Sequence, residues 1–323
     1  MRVAIVGATG LVGRTMLTVL EERAFPVTCV HLLASPRSAG ERIVWKNETY
    51  TVEPLSEPLP SVDVALFSAG GSVSKEWAPR FAATGAVVID NSSYWRMDPD
   101  VPLVVPEVNP SDALLHKGII ANPNCSTIQL VVALKPLHEA FGLKRVIVST
   151  YQSVSGAGQK GVDQLQAELA GSTPTARISP HPLAYNAVFH TIEAQHGDSE
   201  EEIKMQRETR RILHLDNLAI AVTCVRVPVL GGHAESVVIE TERPITPALA
   251  AHVLSHAPGI ILEDDPANHS YPTPQRVADS DAVHVGRLRA DSSAKNGLML
   301  WVVANNLRKG AATNAVQIAE LLQ

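Results

Sequence analysis

The sequence is poor in cysteine, in aromatic residues and in long apolar runs. It has 3 cysteines among 323 residues, and aromatic side chains make up 4%. So few cysteines are not typical of a disulfide scaffold and favour a reducing, cytoplasmic setting. We find no run of 18 or more apolar residues, so no membrane span is expected.

An excess of positive charge is also missing. Lys and Arg number 27 against 33 Asp and Glu, a formal net charge of -6. Proteins that bind nucleic acid neutralise phosphates with clustered cations, so no nucleic-acid partner is expected. The N-terminal MRVAIVGATG runs straight into a strand pattern and a glycine-rich turn. It lacks the longer apolar stretch and the cleavage site of a signal peptide, so none is expected.

What the first third does contain is an alternation of strand and helix patterns. Four apolar runs have the character of buried strands: Arg2–Val6, Val27–Ala34, Val62–Ser68 and Ala86–Asp90. Two segments between them have helical patterns: Leu11–Arg23 and Lys75–Thr84. This alternation predicts parallel βαβ units, and hence a Rossmann-like α/β domain with a doubly wound parallel sheet.

From about residue 125 the pattern changes, and the length of the chain already favours more than one domain. Helices are predicted at Thr127–Phe141, Gly161–Leu169, Glu200–Leu213 and Gly310–Leu322. Strands are predicted at Arg145–Gln152, Ala219–Val229 and Glu235–Glu240. Pro136 is expected to kink or break the first of these helices. We expect an α+β domain with a mostly antiparallel sheet.

The turn after the first strand carries three glycines in GxxGxxG spacing. It lies between a strand and a helix, the context of a dinucleotide-binding turn. Glycines let the backbone approach a pyrophosphate, and the helix N-terminus attracts its charge. The predicted contacts are Gly7, Thr9, Gly10, Leu11, Val12 and Gly13. A tight turn without a ligand is the alternative.

The end of the second strand selects between the two nicotinamide cofactors. Enzymes that use NAD usually place an acid there to hold the ribose 2′-hydroxyl. Here Ser35, Arg37 and Ser38 follow the strand, and residues 34–40 contain no acid. Arg37 can hydrogen-bond a 2′-phosphate, so NADP is expected. A solvated loop with an incidental arginine is the alternative.

The three cysteines differ in their surroundings. Cys29 and Cys224 lie in apolar strand patterns and are expected to be buried. Cys125 follows the rigid, polar Asn122-Pro123-Asn124 and precedes a predicted helix. A helix N-terminus lowers the pKa of a thiol below about 8.5 and can stabilise an oxyanion. Spacing alone leaves a reactive and a structural role for Cys125 equally open.

Several segments together resemble one family. The segment Asn124–Thr127 is similar to the nucleophile segment of aspartate-semialdehyde dehydrogenases. Further similar segments, in the family's order, are Ser92–Asp98, Val104–Asn109, Tyr151–Gly158, the Glu201/Lys204 pair, Arg226–Val229 with Gly231–His233, and Asn306–Gln317. The resemblance covers nearly the whole chain. It implies an NADP-binding domain over 1–124 and 307–323, and a catalytic and dimerisation domain over 125–306.

The resemblance also implies a role for each matching residue. Cys125 would be the nucleophile, His233 the catalytic histidine, and Gln152 the residue that orients the substrate. Arg96 and Lys204 would bind phosphate, Arg226 a carboxylate, and Glu201 an ammonium group. Further cofactor contacts are expected at Gly70, Ser155, Gly156 and Asn314.

The implied reaction is the reversible, NADPH-dependent conversion of L-aspartyl 4-phosphate to L-aspartate 4-semialdehyde, through a thioester on Cys125. It belongs to the biosynthesis of lysine, threonine, methionine and isoleucine, and a homodimer is implied as well. The substrate presents an ammonium, a carboxylate and a phosphate. The predicted site has a partner for each of these groups, which is the strongest internal argument for it.

Other readings of the same residues remain open. Glu201 and Lys204 could be an exposed helix pair of small worth, and a lone histidine is usually structural. A zinc site would draw on His181, His190, His196, His214 and His233, but they lack metal-ligand spacing. A reductase of another acyl phosphate, such as N-acetylglutamyl phosphate, and a non-catalytic paralogue are the rival functions. No Tyr-x-x-x-Lys pair supports a short-chain dehydrogenase.

Overall fold

The structure is a computed structural model that describes residues 1–193, 195 and 197–323. These residues form two compact units, one of residues 1–124 with 311–323 and one of residues 125–310. Among the described helices, none combines the length and the apolar character needed to cross a membrane.

The first unit is built on a parallel sheet, because its strands are short apolar runs buried on both faces. Its strands are β1 (Arg2–Val6), β2 (Cys29–Ala34), β3 (Arg42–Trp45), β4 (Glu48–Thr51), β5 (Glu53–Pro54), β6 (Val64–Phe67), β7 (Val87–Asp90) and β8 (Ile119–Ala121). The sheet order is β5-β2-β1-β6-β7-β8, and every pair in it is parallel. β3 and β4 form a separate antiparallel hairpin.

Helices α1 (Leu11–Glu22) and α2 (Gly71–Ala83) join neighbouring elements of this sheet. α1 buries one apolar face, which includes Met16, Leu17 and Leu20. The strand order reverses between β1 and β6, which is the switch point where open α/β sheets bind ligands. The predicted Rossmann-like sheet is confirmed, and the glycine turn follows β1 at the switch point.

The second unit is an α+β arrangement around a seven-stranded sheet. Its helices are α3 (Cys125–Phe141), α4 (Gln159–Leu169), α5 (Glu200–Leu213) and α6 (Pro247–Ser255). Its strands are β9 (Leu143–Gln152), β10 (Val188–Phe189), β11 (Ala219–Arg226), β12 (His233–Thr241), β13 (Ile260–Leu262), β14 (Val283–Asp291) and β15 (Gly297–Ala304). The order is β10-β11-β9-β12-β15-β14-β13. Only the β11–β9 and β13–β14 pairs are parallel, so the prediction of a mostly antiparallel sheet is confirmed.

Local sequence explains where α5 begins. Ser199 accepts a hydrogen bond from the Glu202 backbone at 3.3 Å, and the Glu202 carboxylate accepts one from the Ser199 backbone at 2.6 Å. This reciprocal capping box satisfies two amides at the helix start. It also fixes the rotation of the first turn, which turns Glu201 to the buried side of the helix.

Several predicted helix and strand bounds need correction. α3 begins at Cys125, not at Thr127, and it continues through Pro136 to Phe141. A proline removes one helical hydrogen bond, but α3 is buried along most of its length, so packing holds it together. β11 ends at Arg226 instead of Val229. The C-terminal helix α7 covers Thr313–Glu320 and follows a π-helical turn at Arg308–Ala312.

The prediction for one cysteine is wrong as well. Cys224 is fully buried, as expected, but Cys29 is exposed. Cys29 is the first residue of β2, and β5 covers that strand only at Leu33 and Ala34. The thiol therefore lies at the open end of the strand, 3.7 Å from Nε2 of the His31 ring.

Candidate active site

The turn after β1 requires glycine at two positions. Gly7 has φ +91°, and a Cβ there would lie 2.4 Å from the backbone oxygen of Ser68, which follows β6. A Cβ on Gly13 would lie 2.3 Å from the Gly7 oxygen. Glycine thus allows the segments after β1 and β6 to meet and α1 to start directly against the turn.

An anion can approach the backbone at this turn. Gly10 is the N-cap of α1, and among the described residues no side chain caps the helix and no acid lies in its first turn. Such a helix N-terminus offers N–H donors and a partial positive charge to phosphate. At Gly70, the N-cap of α2, φ is +89° and an added Cβ would meet no described atom within 4 Å. The glycine turn after β1 therefore fits a dinucleotide pyrophosphate.

The remaining predicted cofactor residues fall into two groups. Thr9, Leu11 and Val12 lie in the glycine turn or the first turn of α1, and Ser35, Arg37 and Ser38 follow β2. All of these belong to the first unit, at the carboxyl ends of its parallel strands. Arg37 lies on a short 3-10 turn with its side chain exposed, where it can meet a phosphate from solvent. Ser155 and Gly156 belong to the second unit.

Asn314 lies on α7 and is fully buried in the first unit. Its side-chain nitrogen donates to the Asn122 side-chain oxygen at 2.7 Å and to the Val104 carbonyl at 3.0 Å. The Asn122 side-chain nitrogen in turn donates to the Asn91 side-chain oxygen at 2.7 Å. Asn314 thereby anchors Asn122, which lies in the segment just before Cys125.

Cys125 is the first residue of α3 and is partly buried. At that position the helix dipole favours a thiolate, and backbone amides at a helix start can stabilise a nearby oxyanion. The chain passes the cysteine closely again at Gly310, where an added Cβ would lie 2.9 Å from the Cys125 Cβ. Glycine at this point is therefore required by the packing around the thiol.

Three predicted site residues form one row across the second sheet. Arg226 on β11 pairs with Gln152 on β9. His233 begins β12, one position beyond the pair of Ala234 and Tyr151. Residues at the same register lie on the same face of a sheet, so the Arg, Gln and His side chains emerge side by side. Their exposed fractions are 9%, 1% and 0%.

Gln152 connects this row to α3 and α5. Its amide nitrogen donates to the Ser126 hydroxyl at 2.9 Å and to the Glu201 carboxylate at 3.3 Å. Lys204 lies one helical turn after Glu201, with its ammonium 3.6 Å from that carboxylate and 32% of its side chain exposed. The predicted Glu-x-x-Lys pair is thus an ion pair with a buried acid and a partly exposed base.

His190 is a site residue whose position the sequence analysis missed. Arg226 donates through Nη2 to His190 Nε2 at 2.8 Å and through Nη1 to the Ser153 carbonyl at 2.6 Å. Burial lowers the pKa of Arg226, whereas the negative charges of Glu201 and Cys125 raise it. Burial likewise lowers the pKa of His190, so a neutral ring can accept from the guanidinium. His190 was missed because β10, the two-residue strand that precedes it and pairs with Arg226 and Val225, was not predicted.

The hydrogen bonds of His233 define its neutral form. The Ser153 backbone N–H donates to Nδ1 at 3.0 Å, so Nδ1 is the acceptor and the ring proton lies on Nε2. Nε2 has no partner among the described residues. Burial, and next the charge of Arg226, lower the pKa of His233 to about 3. The ring is therefore neutral at physiological pH and presents an N–H donor beside Gly156, whose added Cβ would lie 3.2 Å from Nε2.

Asn306 and two serines hold this histidine in place. Asn306 accepts from the Ser153 and Ser155 hydroxyls at 3.1 and 3.2 Å and from the Gly232 amide at 2.9 Å. It thus connects the start of β12 to the segment after β9. No role for Asn306 was predicted from the sequence, although this residue opens one of the motifs on which the resemblance rests.

Arg96 belongs to the first unit and is 8% exposed. It donates to the Asn91 carbonyl at 2.9 Å. Burial raises the pKa of the Asp90 carboxyl, and the charge of Arg96 is among the influences that lower it. A buried guanidinium held in this way is suited to bind an oxyanion, the role that the sequence predicts.

The structure groups the predicted residues by unit. Cys125, Gln152, Glu201, Arg226 and His233 come together in the second unit, and Lys204 lies at their edge. The dinucleotide turn and Arg96 lie in the first unit. Within the described ranges, no group of three His, Cys, Asp or Glu residues could hold a metal ion, and His196 lies outside them.

Comparison with known proteins agrees with this arrangement. Residues 2–116 match the family model described as semialdehyde dehydrogenase, NAD binding domain, and residues 134–309 match its dimerisation domain. Aspartate-semialdehyde dehydrogenase from Aquifex aeolicus is 56% identical, over 99% of this chain and 97% of its own. The chain belongs to the aspartate-semialdehyde dehydrogenase family. The resemblance inferred from the sequence motifs is therefore confirmed.

Solved structures of this family support the fold. The crystal structure of aspartate semialdehyde dehydrogenase II from Vibrio cholerae, complexed with ASA, has a TM-score of 0.95 and 48% identity. It is matched over 99% of this chain and 97% of its own. The enzyme with NADP from Candida albicans has a TM-score of 0.77 and 26% identity, with 99% and 98% covered.

Proposed function

We propose that the chain catalyses the reversible, NADPH-dependent reduction of L-aspartyl 4-phosphate to L-aspartate 4-semialdehyde, with Cys125 as the nucleophile. One observation carries the proposal: the second unit combines a cysteine at a helix start with a buried Arg226, Glu201 and a neutral His233. The names of the relatives and the ligand in the Vibrio cholerae structure support the same reaction. The step would serve biosynthesis of lysine, threonine, methionine and isoleucine.

The charges of the site suit an amino acid phosphate. Arg226 offers its planar guanidinium to the substrate carboxylate, and the hydrogen bonds to His190 and Ser153 hold that plane in one orientation. Glu201 receives the ammonium group, and Gln152, which already contacts Glu201, orients the acyl group. Arg96 and Lys204 supply positive charge for the phosphate.

The chemical steps follow from the positions of the thiol and the histidine. The Cys125 thiolate adds to the acyl carbon, the bond from carbon to the phosphate oxygen breaks, and phosphate leaves a thioester on the enzyme. NADPH, when bound, supplies the hydride that reduces this thioester. The resulting oxyanion then collapses, the carbon–sulfur bond breaks, and the aldehyde leaves with the thiolate restored.

His233 stabilises both tetrahedral oxyanions in this scheme. Its Nε2–H is the donor turned away from Ser153, and the first-turn amides of α3 can share the same negative charge. The family resemblance implies that His233 is the catalytic histidine. In the neutral form defined by the Ser153 amide, the ring acts as a hydrogen-bond donor, so proton transfer would require a change of tautomer.

NADP is the proposed cofactor. The glycine turn would hold its pyrophosphate, and Arg37 with Ser35 and Ser38 would hold the 2′-phosphate. The NADP named in the Candida albicans structure is consistent with this choice. A homodimer is proposed as well, because the second unit matches a dimerisation domain.

The deciding experiment is phosphate-dependent reduction of NADP with aspartate semialdehyde, repeated with NAD. Cys125→Ala should lower turnover by at least about 1,000-fold, because the variant lacks the thiol that forms the thioester, while NADP binding stays nearly intact. Cys29→Ala is the matched control, since that exposed thiol lies in the other unit. Retained turnover in Cys125→Ala would rule out the scheme.

A second candidate is reduction of N-acetylglutamyl phosphate. An N-acetylated substrate has no ammonium group, and the buried Glu201 carboxylate would then lack its substrate partner. The geometry therefore favours the free amino acid. Assays of both acyl phosphates with the same enzyme separate the two candidates.

A further inference from the structure

Glu235 is a buried acid that the proposed chemistry does not use. It lies on β12, two residues after His233, and none of its side chain is exposed. Among the described residues, neither of its carboxyl oxygens has a hydrogen-bond partner. An ionised carboxylate in such a place would be very costly, because burial removes its water and the Gln129 amide offsets that loss only in part. Burial accordingly raises the pKa of Glu235 well above its ordinary value.

The polar groups around Glu235 are also left unsatisfied. Gln129 is the side chain whose amide acts on the Glu235 carboxyl, and its Oε1 has no described partner. Thr150 lies directly opposite Glu235 on β9, and its hydroxyl likewise has none. A carboxylate cannot satisfy Gln129 Oε1, because both are acceptors. A protonated acid can donate its O–H to Gln129 and accept the Thr150 hydroxyl through its other oxygen.

The position of Gln129 gives this pair a consequence for the site. Gln129 lies four residues after Cys125 on α3, which places both on one side of the helix. Its amide nitrogen donates to the His233 backbone carbonyl at 3.4 Å. A hydrogen bond of this length is weak. Whether it forms depends on a second partner that orients the Gln129 amide.

We infer that Glu235 is a neutral carboxylic acid that donates to Gln129 and thereby holds the backbone of His233 against the helix that begins at Cys125. Glu235 is then a positioning residue for the histidine. The inference rests on the proposed function only where it expects an effect on turnover. The protonated, hydrogen-bonded acid itself can be tested without any substrate.

The direct test is infrared difference spectroscopy of the full-length wild type against Glu235→Gln at neutral pH. We expect the wild type to show the C=O stretch of one additional protonated carboxylic acid, which shifts when the protein is exchanged into D₂O. Other protonated carboxyls, such as a buried aspartic acid, cancel in the difference. If a carboxylate stretch disappears in the variant instead, Glu235 is ionised and the inference is wrong.

The positioning role is tested by three variants with aspartate semialdehyde and phosphate. Glu235→Leu and Gln129→Leu should each lower kcat about tenfold while KM changes less than about twofold. Glu235→Gln keeps a donor toward Gln129 and should restore most of kcat. An unchanged kcat in both leucine variants, or equal losses in Glu235→Gln and Glu235→Leu, would contradict the role. If the wild type itself lacks this activity, the proposed function fails, and the infrared band still decides the state of Glu235.

Discussion

His233 should make the stability of the protein depend on pH in a specific window. Its pKa is about 3 in the folded protein and 6.5 in the reference state, so between these values the unfolded chain binds more protons. Folding stability must therefore fall as the pH falls below about 6.5. At about pH 4.5 this one residue should cost roughly 2.5 kcal/mol relative to about pH 8.

The perturbation is His233→Asn. Asparagine has a side-chain oxygen that can accept from the Ser153 amide, as Nδ1 does now, but it cannot be protonated. The variant loses stability at every pH because the ring leaves a cavity. Between about pH 8 and 4.5 the variant should nevertheless lose roughly 2.5 kcal/mol less stability than the wild type, since the protonation cost is gone.

The assay is urea denaturation followed by circular dichroism at several pH values, with the free energy of unfolding compared at each. The matched control is His214→Asn, at the end of α5, where the histidine is exposed. The control should follow the wild type. Parallel pH curves for the wild type and His233→Asn would refute the reasoning, because His233 would then be protonated as easily in the folded chain as in the unfolded one.

Two further predictions concern the packing and orientation of the site. Gly310→Ala places a Cβ 2.9 Å from the Cys125 Cβ, so the start of α3 must shift and kcat should fall at least about tenfold. The control is Gly231→Ala, which should have little effect because no described atom lies within 4 Å of an added Cβ. Normal turnover in Gly310→Ala would show that the helix start tolerates the shift. His190→Leu removes the acceptor of the Arg226 guanidinium, which should cost about 1–3 kcal/mol of substrate binding and appear as a raised KM. His190→Gln keeps an acceptor and should recover most of the lost binding energy. Equal KM values for the Leu and Gln variants would mean that His190 does not orient Arg226.

Much of the fold could be predicted because its signals are local. β1 and α5 have the predicted bounds, since an apolar run and an amphipathic pattern depend only on neighbouring residues. The strands from Ile260 onward received no prediction, although in the structure β15 pairs with both β12 and β14. Their pairing joins residues far apart in the chain, and a single sequence contains no direct signal of that.

The family and the residues that carry its motifs were determined by the sequence itself. A glycine turn between a strand and a helix, and a cysteine before a helix, owe their chemistry to backbone geometry that nearby residues dictate. Together with the family resemblance, these features predict the kind of chemistry before any contact is known. The roles of the individual residues stay predictions.

Only the tertiary structure decided how the side chains cooperate. The register of β9, β11 and β12 sets Arg226, Gln152 and His233 in one row, and the Ser153 amide defines the neutral form of the histidine. The exposure of Cys29 and the burial of Glu235 were decided in the same way. Burial, charge and tautomer depend on neighbours brought together from distant parts of the chain, and no local pattern in the sequence encodes them.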